Sequence, residues 1–104
     1  MRTIKMQGIL TDKFPQQPVS QNLVKRVFWL RETDRERYPQ HWELELHNDE
    51  CRRLDEFKIG EHLEAEVELR GRKYEKQGRE GIFNSLKCVG LGRVNAAKTN
   101  PFKN

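Results

Sequence analysis

The sequence predicts an all-β fold, a barrel of five strands with one short helix between the third and the fourth. Three observations carry that expectation. Apolar and charged residues alternate with period two, most strictly in Leu63-Glu64-Ala65-Glu66-Val67-Glu68-Leu69. In a helix these four apolar side chains would spread round most of the circumference, whereas in a strand they share one face. Strand-like runs recur between turn-forming proline, asparagine and glycine. One segment breaks the period, with Cys51, Leu54 and Phe57 at three-residue spacing.

The first strand covers residues 3–11, with Ile4, Met6 and Leu10 on one face and Gly8 between them. A glycine inside a strand marks a bulge or tight bend, as a small coiled barrel requires. Phe14-Pro15-Gln16-Gln17-Pro18-Val19-Ser20-Gln21-Asn22 reads as a loop, on its two prolines and amides. The second strand is 23–31. Val24, Phe28 and Leu30 share one face, and Lys25, Val27, Trp29 and Arg31 the other. Both faces carry apolar residues, so the pattern leaves open which is the core. Residues 33–37 form a polar turn that Tyr38-Pro39 closes, since proline holds its predecessor extended.

The third strand, 41–47, points Trp42, Leu44 and Leu46 to the core and His41, Glu43, Glu45 and His47 away from it. Asn48 is the expected helix N-cap, Asp49 and Glu50 suit the helix dipole, and Gly60 is the expected C-cap. The fourth strand is 62–72 and the fifth 82–91. Arg70-Gly71-Arg72-Lys73-Tyr74-Glu75-Lys76-Gln77-Gly78-Arg79 carries a basic loop between them, with Gly71, Gly78 and Gly81 fitting turns. The domain is expected to span 1–92, with a flexible basic tail over 93–104. Three strands, a helix and two strands match the five-stranded OB barrel. An SH3-like barrel usually lacks that helix.

At 104 residues the chain supports one modest core. Its 35% apolar and 35% charged content leans toward disorder, but two tryptophans, five phenylalanines and ordered alternation argue for a fold. The net charge of +4 suits an anionic partner without specifying one. Met1-Arg2-Thr3-Ile4-Lys5 lacks the apolar run of a signal peptide, and no segment approaches membrane-spanning length. Cys51 and Cys88 are too isolated for a disulfide framework or a zinc site. A reduced, cytoplasmic setting is therefore expected.

Short motifs in order along the chain resemble one family. They are Lys25-Arg26-Val27-Phe28, Tyr38-Pro39, Leu54-Asp55 with Ile59-Gly60, Arg70-Gly71-Arg72-Lys73-Tyr74 and Phe83-Asn84-Ser85-Leu86, spread over most of residues 4–91. The sequence is similar in them to a small bacterial family of domains of unknown function, regarded as OB-fold proteins related in structure to single-stranded DNA-binding proteins. The resemblance implies an OB fold and favours DNA over RNA. Two departures are the proline- and glutamine-rich first loop and Cys88-Val89-Gly90-Leu91, where the family tends to carry a tryptophan.

OB domains bind on the face of strands two and three and on the flanking loops. Single-stranded nucleic acid needs cations along its phosphates and aromatic faces for its bases, each stacked base contributing ~1–3 kcal/mol. The candidate binding residues are Lys25, Trp29, Arg31, Arg70, Arg72, Lys73, Tyr74, Lys76 and Arg79, with Phe14 at the first loop. Trp29 is either a stacking platform or a core residue, according to the phase of strand two. The basic residues are either a ligand site or a solvated hairpin. Glu43, Glu45, Glu64, Glu66 and Glu68 make the middle of the outer surface acidic, so a bound strand should keep to the strand-two edge and the loops. These carboxylates are also candidates to pair with Lys25, Arg31 and Arg70.

No metal, cofactor or catalytic group is expected. His41 and His47 lie about 20 Å apart at ~3.3 Å per strand residue, too far to share an ion. Ser20 and Ser85 lack a nucleophile-elbow setting. The sequence thus points to a single-stranded nucleic-acid-binding module of low sequence specificity. The alternative is a protein-interaction or oligomerisation module of the same fold, a homodimer or a complex with a protein partner, that binds no nucleic acid. A cold-shock type of RNA binder is disfavoured, because its aromatic-rich strand motifs are missing.

Overall fold

The computed structural model describes residues 2–32 and 38–94. Its strands are β1 (Thr3–Lys13), β2 (Gln17–Ser20), β3 (Leu23–Glu32), β4 (Gln40–His47), β5 (His62–Lys76) and β6 (Arg79–Arg93). A 3₁₀ helix, Asn48–Glu56, joins β4 to β5. The sheet runs β1-β5-β6-β4-β3, and β1 pairs back onto β3 to close it. This is the all-β OB barrel expected from the element order. The strand contacts are antiparallel except for β4 against β6, which meet in parallel at Glu45 and Lys87.

Barrel closure depends on β1 serving two partners. Thr3 to Ile9 pair with β5, and Ile9 to Lys13 pair with β3, with a register shift between Leu10 and Asp12. Gly8 lies at the changeover, and a Cβ there would meet the Arg31 carbonyl oxygen at 2.8 Å. The glycine predicted to mark a bend is therefore the residue that lets two strands approach.

The core holds Leu10, Phe28, Leu30, Leu44, Leu46, Leu54, Leu63 and Val67, all at most 2% exposed, with Ala65, Cys51 and Cys88 among them. The phase left open in the sequence is thereby resolved. Phe28 is fully buried opposite Leu44, and Trp29 is 40% exposed opposite Glu43. Both phases are mixed, because the outward one contains Val27 and Trp29 and the inward one Arg26. Arg26 lies at the barrel's end, where its guanidinium donates to the Phe14 carbonyl at 2.8 Å and to Asp55 Oδ1 at 2.8 Å. Trp42, expected in the core, is half-buried against it, and its indole N–H donates to Glu32 Oε1 at 2.6 Å.

Several expectations need correction. Residues 17–20, read as loop, form the short strand β2, paired to β3 through Gln17–Lys25 and Pro18–Val24. Proline is tolerated there because β2 is an edge strand. The helix is 3₁₀, and its three residues per turn align Cys51, Leu54 and Phe57 on one side. Asn48 is no side-chain cap; at φ 53° its Oδ1 accepts the Val24 N–H at 2.9 Å. Gly60 does not end the helix, which closes at Phe57; at φ 98° it donates its N–H to the Leu10 carbonyl at 2.8 Å. Arg93, expected in the tail, ends β6 opposite Leu63, while residues 95–104 and the turn at 33–37 lie outside the described residues.

The largest correction concerns the basic loop. β5 and β6 pair without a break from Val67–Cys88 to Lys76–Arg79, and only Gln77 and Gly78 form the turn. Both have positive φ, 54° and 79°, as a two-residue turn of the right twist for a hairpin requires. The loop predicted over 73–81 is thus a two-stranded ribbon that projects past the barrel wall, and Gly71 and Gly81 lie in its strands. The chain accordingly extends 56 Å along its longest axis against 30 and 25 Å across. Among the described residues no helix is long and apolar enough to cross a membrane.

Candidate nucleic-acid interface

Antiparallel register places four pairs on the outer face of β3 and β4: Lys25–His47, Val27–Glu45, Trp29–Glu43 and Arg31–His41. Trp29 is the large aromatic of this face. Its indole N–H donates to Glu43 Oε1 at 3.0 Å, and the Phe14 ring meets it edge-on at a centroid distance of 4.9 Å. Those two contacts hold the indole and leave it 40% exposed. Beside it lies a shallow concavity of about 250 Å³ lined by Phe14, Pro15, Gln17, Lys25, Val27, Trp29 and Glu43.

The acidic residues of this face are less repulsive than their number suggests. Glu45 lies between Lys25 Nζ at 3.8 Å and His47 Nε2 at 2.7 Å, and Lys87 of β6 is its cross-strand neighbour. Glu43 is engaged by the indole. Of the pairings expected for Lys25, Arg31 and Arg70, the Lys25–Glu45 contact is the one found among the described residues.

The ribbon has two chemically different faces, because cross-strand partners share a side. The outward face carries the pairs Arg70–Ser85, Arg72–Phe83, Tyr74–Gly81 and Lys76–Arg79. Tyr74 and Phe83 are each about half exposed. The Tyr74 ring lies over Gly81, where an added Cβ would come within 2.6 Å of it. Lys76 and Arg79 are like charges directly opposite each other, an unfavourable pairing that a bound anion would relieve. The other face carries Leu69–Leu86, Gly71–Asn84, Lys73–Ile82 and Glu75–Glu80. Lys73 therefore stands apart from the other predicted cations, and its ammonium lies 3.9 Å from Glu80.

Along the outward face of β5 the charge reverses at one point. Glu64, Glu66 and Glu68 line the barrel wall, beside Gln7, Lys5 and Thr3 of β1. Thr3 Oγ1 donates to Glu66 at 3.0 Å and Gln7 Nε2 to Glu64 at 3.4 Å. From Arg70 onward the same face is basic and aromatic. The Glu45–Lys87 contact joins β4 to β6, and by strand phase Trp29, Phe83 and the ribbon arginines all point outward from the closed sheet.

Phe83 and Lys87 belong to this surface and were absent from the predicted set. Phe83 was legible in principle: a two-residue turn at Gln77-Gly78 counts back to an Arg72–Phe83 pair. Lys87 depended on the β4–β6 contact, which no local pattern encodes.

Among the described residues no group of three His, Cys, Asp or Glu could hold a metal ion. Cys51 and Cys88 are buried free thiols. Burial pushes the Cys88 thiol up to about 11, and burial raises that of Cys51 as well, the opposite of what a nucleophile needs. Asp55 and Glu61 are held below the usual carboxylate range by hydrogen bonds from Arg26 and Arg93 respectively, contacts that tie the helix and the following turn to β3 and β6.

The chain belongs to the family described as a domain of unknown function, DUF3127, which matches residues 5–90. Among curated proteins none matches it. Among solved structures, it is similar to the mitochondrial single-stranded DNA binding protein Rim1 of S. cerevisiae, with a TM-score of 0.70 at 16% identity over 89% of this chain and 94% of that one. A selenomethionine-labelled crystal of the same protein gives 0.70 at 14%. The small single-stranded DNA-binding protein from Streptomyces coelicolor gives 0.58 at 14% identity, over 91% of this chain and 95% of that one. At such identities the likeness establishes a shared fold.

Proposed function

We propose that this chain is a cytoplasmic, non-catalytic module that binds single-stranded nucleic acid, DNA in preference to RNA, with low sequence specificity. One observation carries the reading: exposed aromatic rings, and cations that make no ion pair among the described residues, lie on the outward side of the sheet, from Trp29 to the ribbon. Arg31, Arg70, Arg72, Lys76 and Arg79 contact phosphates, with Lys25 beside them. Trp29, Tyr74 and Phe83 offer faces to bases. Lys73 takes no part on this side. The strand avoids the Glu64, Glu66 and Glu68 row, where its phosphates would be repelled. The similar solved structures, named as single-stranded DNA-binding proteins, support DNA as the ligand.

Fluorescence anisotropy of labelled oligo-dT at low salt tests this. Wild type should bind, with a log–log salt slope of about −0.7 for each phosphate neutralised. Arg70→Glu with Arg72→Glu should abolish the signal. Absence of wild-type binding to both oligo-dT and oligo-dC, or full binding by the double variant, defeats the reading.

A second reading, self-association, is favoured by the ribbon's other face, where Ile82, opposite Lys73, is 64% exposed and Leu69 is 37% exposed. It predicts a dimer by light scattering that Ile82→Glu splits and oligonucleotide leaves unchanged.

A further inference from the structure

We infer that Glu43 biases this face toward bases that carry an exocyclic amine, and against thymine and uracil. The inference rests on the nucleic-acid reading and adds base selection to it.

The starting point is an apparent conflict. A surface that is to hold a phosphate chain is expected to keep carboxylates away from its stacking ring. Here a carboxylate is hydrogen-bonded to the ring itself, Glu43 Oε1 to the Trp29 indole N–H at 3.0 Å. An indole N–H at a 40% exposed position needs no such partner, since water reaches it. Nor does Glu43 serve an ion pair: among the described residues no lysine or arginine lies within salt-bridge distance of it, in contrast to Glu45. Its second oxygen, Oε2, has no hydrogen-bond donor among the described residues. Glu43 also lines the concavity beside Trp29, together with Gln17 and Lys25, which form a cross-strand pair of their own.

A base stacked on Trp29 thus brings its edge to a wall that holds the Glu43 carboxylate, an acceptor alone, the Lys25 ammonium, a donor alone, and the Gln17 amide, which can do either. A carboxylate accepts from an amine and repels a carbonyl. Cytosine presents its N4 amine with carbonyl O2 at the other end of the same edge, which suits Glu43 on one side and Gln17 or Lys25 on the other. Adenine and guanine also present amines. Thymine and uracil present a single N–H between two carbonyl oxygens, so a carboxylate that reaches the N–H also meets a carbonyl. Cytosine and thymine have similar ring sizes and stack alike, so their comparison isolates the edge.

The test is a pair of anisotropy titrations, oligo-dC and oligo-dT of equal length, at mildly alkaline pH where cytosine tracts stay unpaired. Wild type should bind oligo-dC on the order of tenfold more tightly, the scale of one hydrogen bond to a charged acceptor. In Glu43→Gln the amide both donates and accepts, so the ratio should fall toward one while oligo-dT binding is retained or improved. Trp29→Phe keeps a stacking ring without the N–H that orients Glu43, and should also narrow the ratio. Equal binding of the two tracts by wild type, tighter oligo-dT binding, or a ratio unchanged in Glu43→Gln overturns the inference and leaves the nucleic-acid reading standing. Failure of wild type to bind either tract overturns both.

Discussion

Arg72 and Phe83 are direct cross-strand partners on the outward face of the β5–β6 ribbon, a guanidinium and a half-exposed phenyl ring on one pair. The ring has no core to fill at that position. Its replacement in Phe83→Ala should therefore cost ~1–3 kcal/mol of oligonucleotide binding, the worth of one stacked base. The thermal midpoint should move little. Anisotropy and a melting curve on the same sample check both halves.

Neighbouring residues on β3 should behave oppositely. Phe28→Ala empties a fully buried site and should cost ~3–5 kcal/mol of stability in urea titrations. Trp29→Ala removes an exposed ring and should cost less than about 1 kcal/mol of stability. Its effect falls on binding, which should weaken severalfold. A large stability loss in Trp29→Ala would place the indole in the fold's support rather than in its ligand site.

What the sequence made legible follows from where its pattern was local. The alternation from Leu63 to Leu69 specifies a strand and its inward face from side-chain chemistry alone, and the order of elements then specifies the barrel. Strand β3 was ambiguous because Val27 and Trp29 put apolar residues on its outward face, while Arg26 occupies an inward phase where the Phe14 and Cys51 carbonyls and Asp55 receive its guanidinium. The ribbon reads as a loop in the sequence because charge and glycine over residues 73–81 resemble turn signals. The turn needs only Gln77 and Gly78, and period two continues through Arg70, Arg72 and Tyr74. That same continuation separates Lys73 from its neighbours. The tie between Glu43 and Trp29 depends on the register of β3 against β4, a long-range property that spacing within either strand does not contain.

The Arg26–Asp55 contact gives a pH prediction. The guanidinium holds the Asp55 carboxyl below its ordinary value of 3.8. A carboxyl lowered on folding stabilises the fold above its unfolded value and ceases to do so as pH falls through the lowered one. Wild type should therefore melt above Asp55→Asn at neutral pH. The gap should close as the pH is taken below 3.8. A gap that is constant across that range, followed by circular dichroism, would show that the ion pair carries no such linkage.

Gly81 offers a way to move Tyr74 without altering it. A side chain at this position collides with the Tyr74 ring, and the backbone there is ordinary strand. Gly81→Val should displace the ring, reduce oligonucleotide affinity as much as Tyr74→Ala does, and leave the melting temperature near that of wild type. Unchanged affinity would remove Tyr74 from the binding surface.

The central claim is that the outward face around Trp29 receives single-stranded nucleic acid. The chain has two tryptophans, so Trp42→Phe leaves Trp29 as the sole indole reporter. Titration of that variant with oligo-dT at low salt, read by tryptophan emission and by anisotropy together, tests the claim most directly. Base stacking should quench the Trp29 emission over the same concentrations that raise the anisotropy, and added salt should reverse both. Anisotropy that saturates with no change in Trp29 emission, or no binding at all, would contradict it.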